Sequence, residues 1–250
     1  MSTRDIVQDI VKHTAGLGFI TSVKVTGTDE STTLDAMDAD RTVILQAKLH
    51  NTVDEFKGEF GLGNLGFLAG VTALPNYQTD DSTVEVVARD RNGVSSPDHL
   101  MFRDAEGNTD QYRFMSKEII EQTLQTVKFK GVEWDVTLEP TKAKVNELQA
   151  VAGIYGGIEP NFTVKTDKDA NLIITVGAAD GSFTGKRTFA QNVNGEITEG
   201  YAWPLLQVLA ILKLGMSGAC IMQISKKGAL LIAVDSGIGK YDYILPALTV

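Results

Sequence analysis

The chain has 250 residues and a formal net charge of −9, with 43% hydrophobic and 22% charged residues. This composition is ordinary for a globular protein and excludes the disordered, collagen-like and membrane-spanning classes. The N-terminal segment is amphipathic and carries acidic residues, unlike a secretory or transit peptide, so we expect a cytoplasmic protein with no membrane partner. Cys220 is the only cysteine, which excludes an internal disulfide framework and a cysteine-based zinc site within one chain.

The first half of the chain predicts a helix, strands, a second helix and further strands. Its first residues, Ser2-Thr3-Arg4-Asp5, fit a helix-capping box. The helix that follows has an apolar side and a polar side, formed by Ile6, Val7, Ile10 and Val11 and by Arg4, Gln8 and Lys12. Further along, alternation and turn chemistry predict strands over 19–26, 42–49, 84–89 and 112–115, and a short buried helix over 62–74.

The second half repeats this order. Residues 116–130 mix apolar and charged side chains and fit either a helix or an extended connector. Clean alternation predicts a half-buried strand over 132–139. An amphipathic helix is predicted over 141–155, with Lys142, Asn146 and Gln149 on its polar side and Lys144 and Glu147 beside them. The remaining predicted elements are strands over 162–165, 172–176 and 186–190, a buried helix over 201–214 with Pro204 in its first turn, and strands over 220–225, 230–235 and 241–245.

Alignment of the two halves indicates an internal duplication. Arg4 aligns with Lys142 at an offset of 138 residues. The apolar residues of the buried helices align at an offset of 141, as Leu65, Leu68 and Val71 with Leu206, Leu209 and Leu212. Because apolar patterns of equal period also align by chance, duplication and coincidence both stay open. We expect an α+β fold of two repeated domains, 1–115 and 132–250, each with two helices packed on antiparallel sheets, and a connector over 116–131.

The sequence offers no clear catalytic, metal or cofactor motif. Residues 61–66, G-L-G-N-L-G, match the G-x-G-x-x-G pattern of dinucleotide-binding units, but the preceding E-F-K-G-E-F is a poor strand. Glycines that let a helix pack closely explain the motif as well. His13, His50 and His99 lie in different predicted elements without metal-ligand spacing. We therefore expect no enzymatic activity, no cofactor and no metal, and an NAD-type enzyme is an alternative that depends on the glycine motif alone.

The basic side chains on the two amphipathic helices allow two interpretations. A net charge of −9 argues against a uniformly basic surface that coats nucleic acid, but it permits a local basic patch. Lys142 and Lys144 lie in the first turn of a helix and oppose its dipole, so local helix stability does not account for them. The alternative is that these lysines only solvate an exposed helix face.

Four segments carry a resemblance to a known family: V-T-L-E-P-T-K-A-K-V-N-E-L-Q-A-V-A, N-F-T-V-K-T-D-K-D-A-N-L-I-I-T-V, L-L-Q-V-L-A-I-L-K-L-G-M-S-G-A-C-I-M-Q-I-S-K-K-G-A-L-L-I-A-V and N-L-G-F-L-A-G-V. With the repeated order of elements, the chain resembles the DNA polymerase sliding clamps of the T-even-type phages. The resemblance implies the DNA clamp fold and a homotrimeric ring whose helices line a hole for duplex DNA. It also implies a processivity factor that tethers the replicative DNA polymerase, is placed on DNA by a clamp loader, and acts in the host cell cytoplasm.

The resemblance also implies two sets of site residues. The DNA-facing set, chosen by position on the helices, is Arg4, Lys12, Lys142, Lys144 and Lys213. The set for an apolar pocket that binds partner peptides is Val127, Phe129, Leu245, Pro246 and Leu248. The alternative for the second set is that these residues complete the core of the second domain. The alternative for the whole chain is a phage structural or assembly protein built from a duplicated β-rich domain.

Overall fold

The computed structural model of the protein describes residues 2–91, 93–125, 129–177 and 183–248. Within these ranges there are five α-helices: α1 Thr3–His13, α2 Leu65–Thr72, α3 Lys117–Leu124, α4 Lys142–Tyr155 and α5 Leu205–Gly215. The strands are β1 Val23–Gly27, β2 Thr32–Met37, β3 Ile44–Leu49, β4 Gly58–Leu62, β5 Thr83–Arg91, β6 Val94–Arg103, β7 Thr109–Arg113, β8 Met115–Ser116, β9 Val136–Leu138, β10 Asn161–Thr166, β11 Leu172–Val176, β12 Gly185–Ala190, β13 Tyr201–Pro204, β14 Ala219–Ser225, β15 Ala229–Asp235 and β16 Gly239–Pro246.

The chain divides into two compact units. The first comprises Met1–Ala39, Leu45–Val127 and Gly237–Tyr241. The second comprises Asp40–Ile44, Lys128–Ser236 and Asp242–Val250. The boundaries proposed from the sequence, 1–115 and 132–250, therefore differ in detail from these units, because short segments of each half belong to the other unit.

The first unit contains α1, α2 and two sheets. One has the neighbour order β8-β4-β1-β2-β3, and the other is the antiparallel meander β5-β6-β7. In the first sheet, Val25 of β1 lies opposite Leu34 of β2 and Phe60 of β4, and all three side chains are buried. The helix α1 begins with the predicted capping box, since the Ser2 hydroxyl accepts from the Asp5 amide and the Asp5 carboxylate accepts from the Ser2 amide at 2.8 Å.

The second unit repeats this plan. Its sheets have the neighbour orders β12-β11-β10-β13 and β16-β15-β14-β9. Phe162 of β10 lies opposite Val176 of β11 and Trp203 of β13, and these three side chains form part of the buried face. The predicted apolar stripe of α4 is buried at Val145 and Leu148.

The order of elements confirms the predicted repeat. In each unit a helix precedes a three-stranded meander, and a fourth strand returns to pair with the first strand of that meander: β4 with β1, and β13 with β10. A helix follows the returning strand after at most two residues, and its first residue donates a backbone hydrogen bond to the chain just before the meander. Leu65 donates to Thr21 at 3.5 Å and Leu205 to Pro160 at 2.8 Å. The α+β fold of two repeated domains is therefore correct.

The strands β2 and β6 are among those that the sequence patterns do not predict. The first hydrogen-bonds β1 and buries Leu34 and Ala36 on alternate positions, but its outward side includes the charged Asp35. The second contains Pro97, which is uncommon inside a sheet. A register shift between Val87 and Ala88 of the neighbouring strand accommodates this proline.

The segment before the glycine motif is a strand, so the expectation that E-F-K-G-E-F is a poor strand is wrong for its second half. Gly58–Leu62 forms β4, which pairs with β1 and with β8. Tertiary pairing here overrides a weak local strand preference. A Cβ on Gly61 would lie 2.6 Å from the Cβ of Ile120, so the glycine is required where α3 crosses the strand.

The segment proposed as a connector contains α3, which packs on the first unit through the buried Ile120 and Leu124. The predicted strand over 132–139 is shorter than expected and is reduced to β9.

In α5, Leu206 is 58% exposed, whereas Leu205 is fully buried. The buried residues of α2 and α5 therefore align at an offset of 140, as Leu65, Leu68 and Val71 with Leu205, Val208 and Ile211. Pro204 ends β13 instead of lying in the first turn of α5.

A buried polar cluster fastens α1 to the segment Gly237–Tyr241 of the first unit. The Tyr241 hydroxyl donates to the Asp9 carboxylate at 2.7 Å. The His13 ring stacks on the Tyr241 ring with centroids 4.0 Å apart, and His13 Nε2 lies 3.8 Å from Asp9 Oδ1. Burial lowers the pKa of His13 from 6.5 to about 4, against the opposing attraction of Asp9.

We expect the two glycines Gly61 and Gly70 to respond oppositely to alanine. Gly61→Ala should lower the free energy of unfolding by roughly 1–3 kcal/mol, because its Cβ would collide with Ile120. Gly70 lies inside α2, and a Cβ added to it would meet no heavy atom within 4 Å, so Gly70→Ala should raise the free energy of unfolding by up to about 1 kcal/mol. Urea unfolding measures both, and a neutral Gly61→Ala would contradict the packing of α3 on β4.

We expect the free energy of unfolding to fall as the pH is lowered from the unfolded pKa of His13 to its folded pKa. Between about pH 6.5 and pH 4 the unfolded histidine binds a proton that the folded one does not, so the free energy of unfolding decreases as the pH falls, by up to about 3 kcal/mol. His13→Phe keeps a ring against Tyr241 and should flatten this part of the profile. The exposed His50, changed to Gln, is the control and should leave the profile unchanged. Equal slopes for the parent and His13→Phe would refute the assignment.

Candidate nucleic-acid interface

The charge of the chain is unevenly distributed. The four helices α1, α2, α4 and α5 carry five basic and three acidic side chains, a net charge of +2. The rest of the chain carries 18 basic and 29 acidic side chains, a net charge of −11. A basic set of helices on an acidic body matches the local basic patch that the sequence permits.

The three carboxylates on these helices are all engaged in contacts within the protein. Asp5 closes the capping box, and the hydrogen bond from the Ser2 amide holds the pKa of its carboxyl below the usual value. Asp9 is buried and accepts from the Tyr241 hydroxyl. Glu147 lies 2.8 Å from Lys144 Nζ and 3.8 Å from Arg187 Nε. Each carboxylate on the helices therefore has a partner, and the partners of Glu147 are cationic.

Arg4 of the predicted DNA-facing set binds a loop of its own unit. Its guanidinium donates to the Thr79 carbonyl and, at 2.9 Å, to the Ser82 hydroxyl, and it lies 4.0 Å from the Asp80 carboxylate. Only 22% of the side chain is exposed. These contacts span more than 70 residues of sequence, so no local pattern predicts them.

Lys144 also has a partner within the protein. Its ammonium pairs with Glu147, one turn further along α4, and Glu147 in turn lies near Arg187 of β12. The three side chains form a chain of charges between α4 and the edge strand β12. Arg187 is a residue that the sequence analysis did not select, because its partner Glu147 is 40 residues away in the sequence.

The exposed members of the predicted set are Lys12, Lys142 and Lys213. Lys142 begins α4, and Lys213 lies in the last turn of α5. The helices α4 and α5 pack against each other. Lys142 lines a cleft of about 310 Å³ with Gly215 and Met216, at the end of α5 that carries Lys213. The structure thus brings these two lysines to neighbouring helix ends of the second unit.

The residues predicted for a partner-peptide pocket have different environments. Leu245 is fully buried, and its carbonyl accepts from Trp203 Nε1 at 3.0 Å, so its side chain belongs to the core. Pro246 is exposed. Leu248 is half-buried, and its amide donates to the Ala202 carbonyl at 2.9 Å. Phe129 is half-buried and stacks on Trp134 with ring centroids 6.2 Å apart. The fifth residue of this set, Val127, lies outside the described residues.

The glycine motif lies between β4 and α2, but its surroundings differ from those of a dinucleotide-binding unit. The strand β4 is antiparallel to both of its neighbours, whereas that unit requires a parallel strand–helix–strand crossover. Gly63 precedes α2 and lies against the Met115 side chain of β8, and Gly66 of α2 faces open space. Close packing of α2 therefore explains neither glycine. In the described ranges, no group of three His, Cys, Asp or Glu side chains is arranged to hold a metal ion.

The described helices include none with the length and hydropathy required to cross a membrane.

Comparisons with known proteins identify the fold. No protein-family model and no curated protein matches the sequence. Among solved structures, A. fulgidus PCNA bound to the C-terminal region of FEN-1 aligns with a TM-score of 0.70 at 11% identity, over 100% of this chain and 97% of that chain. PCNA from Thermococcus kodakaraensis aligns with a TM-score of 0.69 at 12% identity, over 99% and 98%. The PCNA2–PCNA3 complex from Sulfolobus tokodaii aligns with a TM-score of 0.65 at 12% identity, over 99% and 97%. The chain therefore has the DNA clamp fold of the PCNA sliding clamps.

Proposed function

We propose that the protein is a ring-shaped sliding clamp that encircles duplex DNA and tethers a DNA polymerase as a processivity factor. The observation that carries this proposal is the charge distribution on the clamp fold. The helices carry a net charge of +2 with their carboxylates engaged, and the rest of the chain carries −11. Basic helices attract phosphates without reading base sequence, and an acidic remainder repels DNA from other surfaces.

The proposal extends to the binding partners of the protein and to its phage origin. A PCNA structure with the C-terminal region of FEN-1 supports peptide docking as a way in which this fold binds partners. We propose that polymerase and clamp-loader peptides contact the accessible residues Phe129, Pro246 and Leu248. The sequence segments that resemble T-even-type phage clamps support a phage protein that acts in the cytoplasm of the host cell.

We further propose that three subunits join head to tail through the outer edges of β7 and β12. Each of these strands ends its sheet, and no described strand pairs with its outer side. The other sheet ends have a neighbour or are short: α1 contacts β5, Leu248 bridges to β13, and β8 and β9 have two and three residues. An unpaired edge readily pairs with another chain, and head-to-tail contacts close into a ring. The PCNA2–PCNA3 complex supports association between subunits of this fold.

Exposed apolar side chains lie near the edge strands β7 and β12. Beside β12, the α4 residue Tyr155 reaches Gly185, and its neighbours Ile154 and Ile158 are 69% and 59% exposed. Beside β7, Phe67 of α2 is 56% exposed and its ring lies 6.4 Å from that of Tyr112. Apolar surface next to an open strand edge favours burial by a second copy of the chain.

We expect the parent protein to thread onto duplex DNA only through a free end. Linear duplex is anchored at one end, and the other end is capped with a bulky protein either before or after the clamp is added. A ring should survive a high-salt wash only when capping follows addition, because only then is it topologically trapped. Retention that does not depend on the order of capping, or no retention at all, would contradict encirclement and favour the structural-protein alternative.

We expect Ile154→Asp to weaken subunit association by at least about tenfold, since it places a charge on an apolar surface that should be buried in the ring. The matched control is Ile119→Asp, at an isoleucine that is 51% exposed on α3, a helix that packs on β1, β4 and β8. Sedimentation equilibrium measures the association constant of each variant. Unchanged association in Ile154→Asp, or an equal loss in the control, would remove this surface from the proposed interface.

A further inference from the structure

Equivalent positions of the two repeated units carry different charges. At the offset of 140 set by the buried residues of α2 and α5, Lys213 corresponds to Ala73, just after α2. Lys142, at the start of α4, corresponds to Arg4 at nearly the same offset. At these equivalent positions each unit therefore has a basic residue at the start of its first helix, and α4 has a second, Lys144, in the same turn. Only the second unit has a basic residue at the end of its second helix.

The chain that follows the second helix explains why Arg4 and Lys142 differ in exposure. In the first unit, residues 73–82 separate α2 from β5, and Thr79, Asp80 and Ser82 of this stretch bind the Arg4 guanidinium. In the second unit, only residues 216–218 separate α5 from β14. This short turn lines the cleft beside Lys142 and leaves that side chain exposed.

The exposed side of α2 adds no charge to the first unit. It consists of Gly66, Phe67, Gly70 and, just after the helix, Ala73. The exposed basic residue of α1 is Lys12, near the end opposite to Arg4. Phosphates that approach the helices of the first unit therefore meet less positive charge than those that approach α4 and α5.

We propose that the two units of each subunit contribute unequally to DNA binding: Lys142 and Lys213 together form its main phosphate-binding point, and Arg4 is a structural link that holds α1 to the 79–82 loop. The inference rests on the proposed clamp function. A ring of such subunits would hold the duplex at three strong points, one in each second unit, and the first units would guide it mainly by shape.

The test compares two matched sets of charge-removing variants. One is the double variant Lys142→Gln and Lys213→Gln, and the other is Arg4→Gln. Binding to a short open-ended duplex is measured over a salt series, alongside the mass in solution and the thermal unfolding midpoint. The double variant should lower the slope of log K against log salt by about one unit for each phosphate that is no longer neutralised, with unchanged mass and midpoint. Arg4→Gln should lower the midpoint and leave the salt slope at the value of the parent.

Two results would overturn the unequal division. The first is a double variant with the salt slope of the parent, and the second is Arg4→Gln with a decrease in slope equal to that of the double variant. Both are read only against a parent that threads onto DNA through a free end. A parent that fails to thread contradicts the clamp function itself, so the two failures are distinguishable.

Discussion

Pairing of a returning strand with the first strand of its meander is the constraint on which both units depend. In the first unit Leu62 of β4 lies opposite Val23 of β1, and in the second Trp203 of β13 lies opposite Phe162 of β10. Within two residues of each returning strand a helix begins, and its first amide donates a hydrogen bond to the chain just before the meander. The second helix of each unit thus begins at a fixed point and packs beside the first, α2 on α1 and α5 on α4. Helix placement follows from strand pairing.

The charge pattern of the helices depends on this placement. Burial of one side of α1 and α4 leaves their polar sides outward, and each carboxylate on these helices has a partner that the fold brings to it. Tyr241 reaches Asp9 from a strand more than 200 residues away, and Arg187 reaches Glu147 from β12. A duplicated scaffold therefore presents an excess of positive charge on its helices, while divergence after α2 and α5 makes the two halves electrostatically unequal.

The sequence predicts the helices and strands that are determined by local sequence patterns. The helices α1 and α4 have caps and apolar stripes, and the meander of β10, β11 and β12 has clear turns, so these were predicted correctly. The strand β4 could not be predicted, because its glycines are poor strand formers, and one of them, Gly61, is needed where α3 crosses at Ile120. The strand β6 contains Pro97, which only the register shift in β5 makes acceptable.

The site residues that were selected from the sequence depend in the same way on contacts that are not local. Lys142 and Lys213 were selected by their position on predicted helices, and the structure leaves them exposed at neighbouring helix ends. Arg4 and Lys144 were selected by the same rule, but Arg4 binds a loop more than 70 residues away, which the sequence does not indicate. Lys144 pairs with Glu147 at an i,i+3 spacing that the predicted helix already offers. Leu245 was selected for the partner-peptide pocket by its position in the C-terminal tail, but its side chain is fully buried and its carbonyl accepts a hydrogen bond from Trp203. Exposure, unlike helix formation, is a property of the whole fold.

The central claim is that a subunit with two repeated units and open edges at β7 and β12 closes with two copies of itself into a ring. Electron-microscope images of the purified protein test this most directly. We expect closed particles with three-fold symmetry and a central hole wide enough for duplex DNA. Isolated single subunits at all concentrations, or open-ended chains of subunits, would contradict the claim.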